Sequence, residues 1–126
     1  VVRVLVGRLG DVAGPVDAIT VDPLVLDVAV AAGAGLDLPV PVGHAAFVYV
    51  FDGALSLGAD GVSVPRGELA VLADGTRVPV ASESGGRALV VAGRPLNEPV
   101  ARQGPFVMNT REQLMQAYAD YRDGRL

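Results

Sequence analysis

The sequence predicts an all-β domain, a jelly-roll β-barrel with one C-terminal α-helix. Three observations carry this. Short runs rich in β-branched and aromatic residues recur at spacings of about 8–12 residues. Glycine-bearing turns separate them, as at Ala32-Gly33-Ala34-Gly35 and Glu83 to Gly86. No helical segment lies between the strand-like runs, which argues against a βαβ fold.

In chain order, Val1 to Val6 is a β-branched run of strand type, and Gly7 to Pro15 reads as loop. Pro23 to Ala32 is a second strand, and Leu36 to Val40 alternates apolar and polar residues. Ala45 to Phe51 leads into Asp52-Gly53, a hairpin signal, because a type I′ turn needs positive φ at both central residues. Ala54 to Leu57, Gly61 to Val64 and Leu69 to Ala73 are short strands. Asp74-Gly75 repeats the hairpin signal before Thr76 to Ala81, and Ala88 to Ala92 is a further strand. Pro95, Pro99 and Pro105 each lack a backbone donor and mark edges and turns.

Arg111 to about Arg122 is the helix. Thr110 at N-cap and Gln113 three residues on form a capping box. Glu112 in the first turn and Arg122 in the last match the helix dipole, and Gly124 suits the C′ position. Leu114, Ala117, Tyr118 and Tyr121 share one face. A helix of about three turns is marginal alone in water, so this face is expected to pack on the barrel or on a partner domain. The expected division is residues 1–108 as barrel and 109–126 as helix.

The chain has 126 residues, enough for one domain. Hydrophobic residues make up 51% and charged residues 19%, so a core is available and disorder is excluded. Net charge is −4, with no basic cluster and no Trp, which argues against direct nucleic-acid contact. There is no Cys, hence neither a disulfide framework nor a thiolate metal site. No apolar run reaches the roughly 18 residues of a membrane span, and with Val1 opening on strand-like text no signal peptide is expected. A cytoplasmic location is the expectation. The serines lack a G-x-S-x-G elbow, and Gly7-Arg8-Leu9-Gly10 is no phosphate loop, the chain having no lysine at all.

Gly93-Arg94-Pro95-Leu96-Asn97-Glu98-Pro99-Val100, then Gly104-Pro105-Phe106-Val107-Met108-Asn109-Thr110 and an amphipathic helix, resemble the C-terminal end of pirin-family proteins. These are bicupins, two cupin barrels in one chain, and Val1 to Leu126 fits the second barrel. The resemblance implies a cupin-type jelly roll. It implies that iron sits in the N-terminal cupin of the parent family, with no cofactor in this chain. Family members are assigned quercetin 2,3-dioxygenase activity or transcriptional co-regulation through partner proteins.

Cupins carry their metal ligands in two motifs, G-x5-H-x-H-x3/4-E-x6-G and G-x5-P-x-G-x2-H-x3-N. Anchored on Gly53, the first places its glutamate at Ala46 and its histidines at Pro39 or Val40 and at Pro41 or Val42. Anchored on Gly67, the second places its histidine at Val78 and its asparagine at Ser82. No register assembles a ligand set, and His44 is the only histidine. One imidazole does not make a three- or four-ligand site. His44 is read either as a loop cap before the Ala45–Phe51 strand or as a proton carrier or hydrogen-bonding group in a pocket. Asn97 and Glu98 are read either as functional side chains or as holding the Pro95–Pro99 turn through hydrogen bonds to the backbone.

Two functions follow. The first is a metal-free structural or interaction module supporting an N-terminal metal-binding cupin, with that domain or a second copy as partner. The second is a stand-alone small-molecule binder or flavonoid-acting enzyme using the barrel interior. Its expected pocket-lining residues are Val40, Val42, His44, Phe47, Tyr49 and Val78. No catalytic residue is assigned.

Overall fold

The alternation that predicts strands also builds the core. In the computed structural model, which describes residues 1–16 and 20–125, Leu24, Leu26, Val28 and Val30 point inward from one strand. Val48 and Val50 do so from a second, and Ala88, Val90 and Ala92 from a third. Every second side chain of a strand lies on the same face, so these three strands share one buried surface. Leu38, Leu55, Leu57, Val64, Val78 and Val80 complete the cluster.

The strands are β1 (Val2–Val6), β2 (Arg8–Leu9), β3 (Val12–Ala13), β4 (Leu24–Val30), β5 (Ala34–Pro39), β6 (Ala45–Leu57), β7 (Val62–Pro65), β8 (Leu69–Val71), β9 (Arg77–Ser82), β10 (Gly86–Gly93), β11 (Ala101–Gln103) and β12 (Phe106–Met108). The helix is α1 (Arg111–Arg122). The main sheet runs β1-β4-β10-β6-β9-β5, with β7 and β8 also paired to β6. All its pairings are antiparallel. This is the curled, all-β architecture that the strand spacing predicts.

β6 organises the sheet. Its first half pairs with β10 and β8, and its last residues pair with β7 and β9. Between the halves the register to β10 slips: Val50 opposes Ala88, while Asp52 opposes Arg87. Phe51 is the extra residue of a β-bulge, which bends a strand and lets it change direction. Gly53 follows with φ of 64°. A Cβ there would stand 2.2 Å from the Gly85 carbonyl oxygen, so only glycine fits.

Two expected hairpins are thereby corrected. Asp52-Gly53 lies inside β6 and not in a turn. Its positive-φ glycine serves a bend, a use that the dipeptide signal does not distinguish from a I′ turn. Asp74-Gly75 connects β8 to β9, but these pair with β6 and with β5 and β6, not with each other.

By its contacts the chain forms two compact units, Val1–Pro95 and Leu96–Leu126. In the second, β11 and β12 form a hairpin and α1 packs on it. Phe106 meets Tyr118 edge-on at 4.9 Å between ring centroids, and Tyr121 at 6.0 Å. The Tyr118 hydroxyl donates to the Gln103 carbonyl at 3.0 Å. The hairpin turn makes room for that contact: a Cβ on Gly104, whose φ is 56°, would lie 2.5 Å from the same hydroxyl oxygen. Gln113 N–H donates to the Thr110 hydroxyl, and the Gln113 side chain accepts from Thr110 N–H, completing the expected capping box. At the other end Gly124 N–H bonds the Tyr121 carbonyl and Arg125 N–H that of Asp120, a Schellman closure. The Pro95–Pro99 stretch is held from outside, since Asn109 Nδ2 donates to the Glu98 carboxylate and to the Pro99 carbonyl. Asn97 takes a left-handed φ of 53°, which asparagine tolerates well.

Candidate functional site

One end of the first unit holds a cavity of about 160 Å³. Val40 follows β5, His44 and Ala46 open β6, Leu72 to Gly75 lead out of β8, and Arg77 to Pro79 begin β9. Gly58, just past β6, closes the set. Val40, Ala46 and Val78 are buried. Those three are positions at which the cupin spacing calls for a ligand, and the fold brings them to one wall as hydrocarbon.

His44 supplies the cavity's imidazole. Its side chain is only 5% exposed. Nε2 stands 2.9 Å from the Asp22 backbone carbonyl oxygen. A carbonyl only accepts, so Nε2 carries the proton, and in the neutral ring Nδ1 is left as a lone-pair acceptor. Nδ1 is enclosed and has no hydrogen-bonding partner among the described residues. A buried acceptor left unsatisfied costs roughly 1–3 kcal/mol. The Asp22 carboxylate lies 3.6 Å from Nε2 and 3.9 Å from Arg94. Arg77 turns outward to pair with Asp37.

Of the six residues expected to line a pocket, the cavity takes in Val40, His44 and Val78. Val42 is 83% exposed in the turn before His44. Phe47 and Tyr49 alternate with the buried Ala46, Val48 and Val50, so strand pleat carries them to the outer face of the sheet. Leu72, Asp74 and Arg77 were not anticipated. They come from the β8–β9 connection and the start of β9, whose approach to Val40 and His44 only the fold reveals. Ala46 did carry a signal, through its place in the motif spacing.

The donor set does not fit iron. Hydrocarbon stands at the ligand positions, and the one imidazole commits Nε2 to a backbone carbonyl. Among the described residues no group of three His, Cys, Asp or Glu side chains converges on a metal-sized site.

The outer face of β4, β10, β6 and β8 is the second feature. Register aligns Val25, Val91, Phe47 and Val71 in one row across the four strands. Asp27, Leu89, Tyr49 and Leu69 form the next. Val71 is 81% exposed and Leu69 52%. Asp27, though on this face, is only 8% exposed, because two arginines cover it. Arg87 donates to both carboxylate oxygens, at 2.8 and 2.5 Å, and Arg3 to one at 3.2 Å. Hydrogen bonding from Arg87 holds the Asp27 carboxyl below its ordinary value against the opposing effect of burial, with Arg3 reinforcing it. Arg87 also lies over the Phe51 ring at 5.3 Å.

Residues 25–126 match the model of the pirin C-terminal cupin domain. The chain belongs to the pirin family. A pirin-like protein of Caulobacter vibrioides is 42% identical over 113 residues, which is 90% of this chain and 40% of that protein. Human pirin is 37% identical over 106 residues, 81% of this chain and 37% of its own length. The crystal structure of a quercetin 2,3-dioxygenase from Acinetobacter baumannii superposes with a TM-score of 0.89 at 32% identity, covering 98% of this chain and 43% of that one. The chain thus spans half or less of the length of the curated relatives it matches. No helix among the described residues is long and apolar enough to cross a membrane.

Proposed function

We propose that this pirin C-terminal cupin is a metal-free structural and interaction module, whose partner is the metal-binding N-terminal cupin of a pirin-type protein. The observation that carries the reading is the apolar outer face of β4, β10, β6 and β8. An antiparallel sheet with one solvated face ordinarily alternates hydrophobic-in and polar-out. Here Val71, Leu69, Tyr49 and Phe47 stand where polar residues belong. Contiguous apolar patches of this kind mark interaction sites. Relatives roughly twice as long leave room for an occupant, and the family resemblance implies that it is a second cupin. On this reading the quercetin 2,3-dioxygenase chemistry named for the Acinetobacter protein belongs to the other half. This half contributes shape and stability.

The test mixes this chain with a separately produced N-terminal cupin of a pirin-family protein and follows sedimentation. A complex of micromolar affinity or better is expected, and Val71→Lys should weaken it at least tenfold at unchanged Tm. Absence of a complex, or a complex indifferent to Val71→Lys, rejects the reading. Self-association abolished by the same substitution, without capture of the cupin, replaces it with a homodimer. The second reading, a stand-alone small-molecule-binding cupin, is supported by the cavity at His44.

A further inference from the structure

We infer that the open edge of β8 pairs with a second copy of this chain, the two β8 strands adding antiparallel to each other about a two-fold axis at Ala70. This edge is distinct from the apolar face itself, so the pairing does not depend on what docks there. Backbone direction comes first. Among the described strands β8 has one neighbour, β6. Val50 N–H donates to the Glu68 carbonyl and Leu72 N–H to that of Ala46, each at 3.0 Å. The even-numbered residues of this stretch thus turn their backbone groups to β6. Alternate residues of an antiparallel ladder face opposite neighbours, so the N–H and C=O of Leu69 and Val71 point out of the sheet edge. Both side chains are exposed, and an unpaired edge is a template for another strand. Self-complementarity comes second. The two-fold sets Leu69 opposite Val71 of the second copy, and the reverse. Each such pair exchanges two backbone bonds, about four in all. Their side chains share the outer face, so the apolar rows of one sheet run on into the other. Charge comes third. Arg66 and Asp74 lie four residues either side of Ala70, in the turns at the two ends of the strand. Both are exposed, and neither forms an ion pair among the described residues. The symmetric pairing carries Arg66 of each copy to the Asp74 end of the other, while Glu68 meets Leu72, so no like charges are opposed. A two-fold contact requires a patch that complements itself in this way.

The experiment follows the ¹⁵N-labelled chain by sedimentation and amide exchange as its concentration is raised. An edge this short buries less than the roughly 1,200 Å² of a standard interface, so a dissociation constant on the order of 100 μM is expected. As the dimer fills, the Leu69 and Val71 amides should gain protection together, while that of Ala70, already bonded to β6, stays constant. Arg66→Asp or Asp74→Arg alone sets like charges opposite each other and should weaken association about fivefold. Mixing the two variants restores opposite charges at both ends and should recover the parent's affinity, which a folding defect in either one would not allow. A chain still monomeric at about 1 mM, tenfold above the constant expected for so small an interface, overturns the inference. So does association that leaves the Leu69 and Val71 amides unprotected, or a mixture that fails to recover. Protection that appears only on adding the N-terminal cupin of a pirin-family protein gives the edge to that domain and overturns it too.

Discussion

At the residue scale the sharpest arrangement is Asp27 between Arg3 and Arg87. A carboxylate inside a sheet face is tolerated here because a guanidinium fork engages both of its oxygens. Asp27→Asn removes the charge and leaves two cations facing each other. The expected cost is about 2 kcal/mol at pH 7. Since folding lowers the Asp27 pKa, its stabilisation is complete above the unfolded value, roughly 3.9, and is lost as pH falls through the folded value. Denaturant midpoints of the parent and Asp27→Asn should therefore differ at pH 7 and converge below about pH 4. A gap that does not narrow on acidification below about pH 4 would mean that Asp27 acts through packing and not through charge. The alternation of residues 24–30 made this strand readable, but not the carboxylate's partners. Arg3 and Arg87 are 24 and 60 residues away in the chain.

Elements were legible where their signals are local. Thr110, Gln113 and Gly124 announce both ends of α1, because caps are written within a few residues of the groups they satisfy. Thr110→Ala should cost about 1 kcal/mol by thermal or chemical melting. Tyr118→Phe keeps the ring against Phe106 but leaves the Gln103 carbonyl without its donor. A loss of about 1 kcal/mol is expected, read as faster amide exchange in β11 and β12. The two Asp-Gly signals misled for a physical reason. Positive φ at glycine is demanded by bulges as well as by turns, and the choice depends on which strand lies alongside. Gly53 is committed by the backbone of Gly85, 32 positions later, which no local window contains.

For the molecule as a whole, binary pattern settled the fold and strand parity settled the site. Val78 is buried in the alternating β9, and Val40 keeps the parity of the buried Leu38. By the same rule Phe47 and Tyr49, attractive as pocket residues for their size, belong to the outer face. Reading parity from the buried Val48 and Val50 would have separated them. The result is a domain with two distinct apolar surfaces. Its cavity carries hydrocarbon at Val40, Ala46 and Val78, and its outer sheet carries hydrophobic rows.

The bend in β6 has a dynamic consequence. A single strand is hydrogen-bonded on both sides of the Phe51 bulge, to β10 and β8 before it and to β7 and β9 after it. The two halves of the sheet then cannot open separately, because detaching either one unzips the thread they share. Native-state hydrogen exchange should place the amides of Val48, Leu57, Val80 and Val90 in one foldon with a common opening free energy. Two distinct isotherms, one per half, would show that the bulge is a hinge at which the fold comes apart.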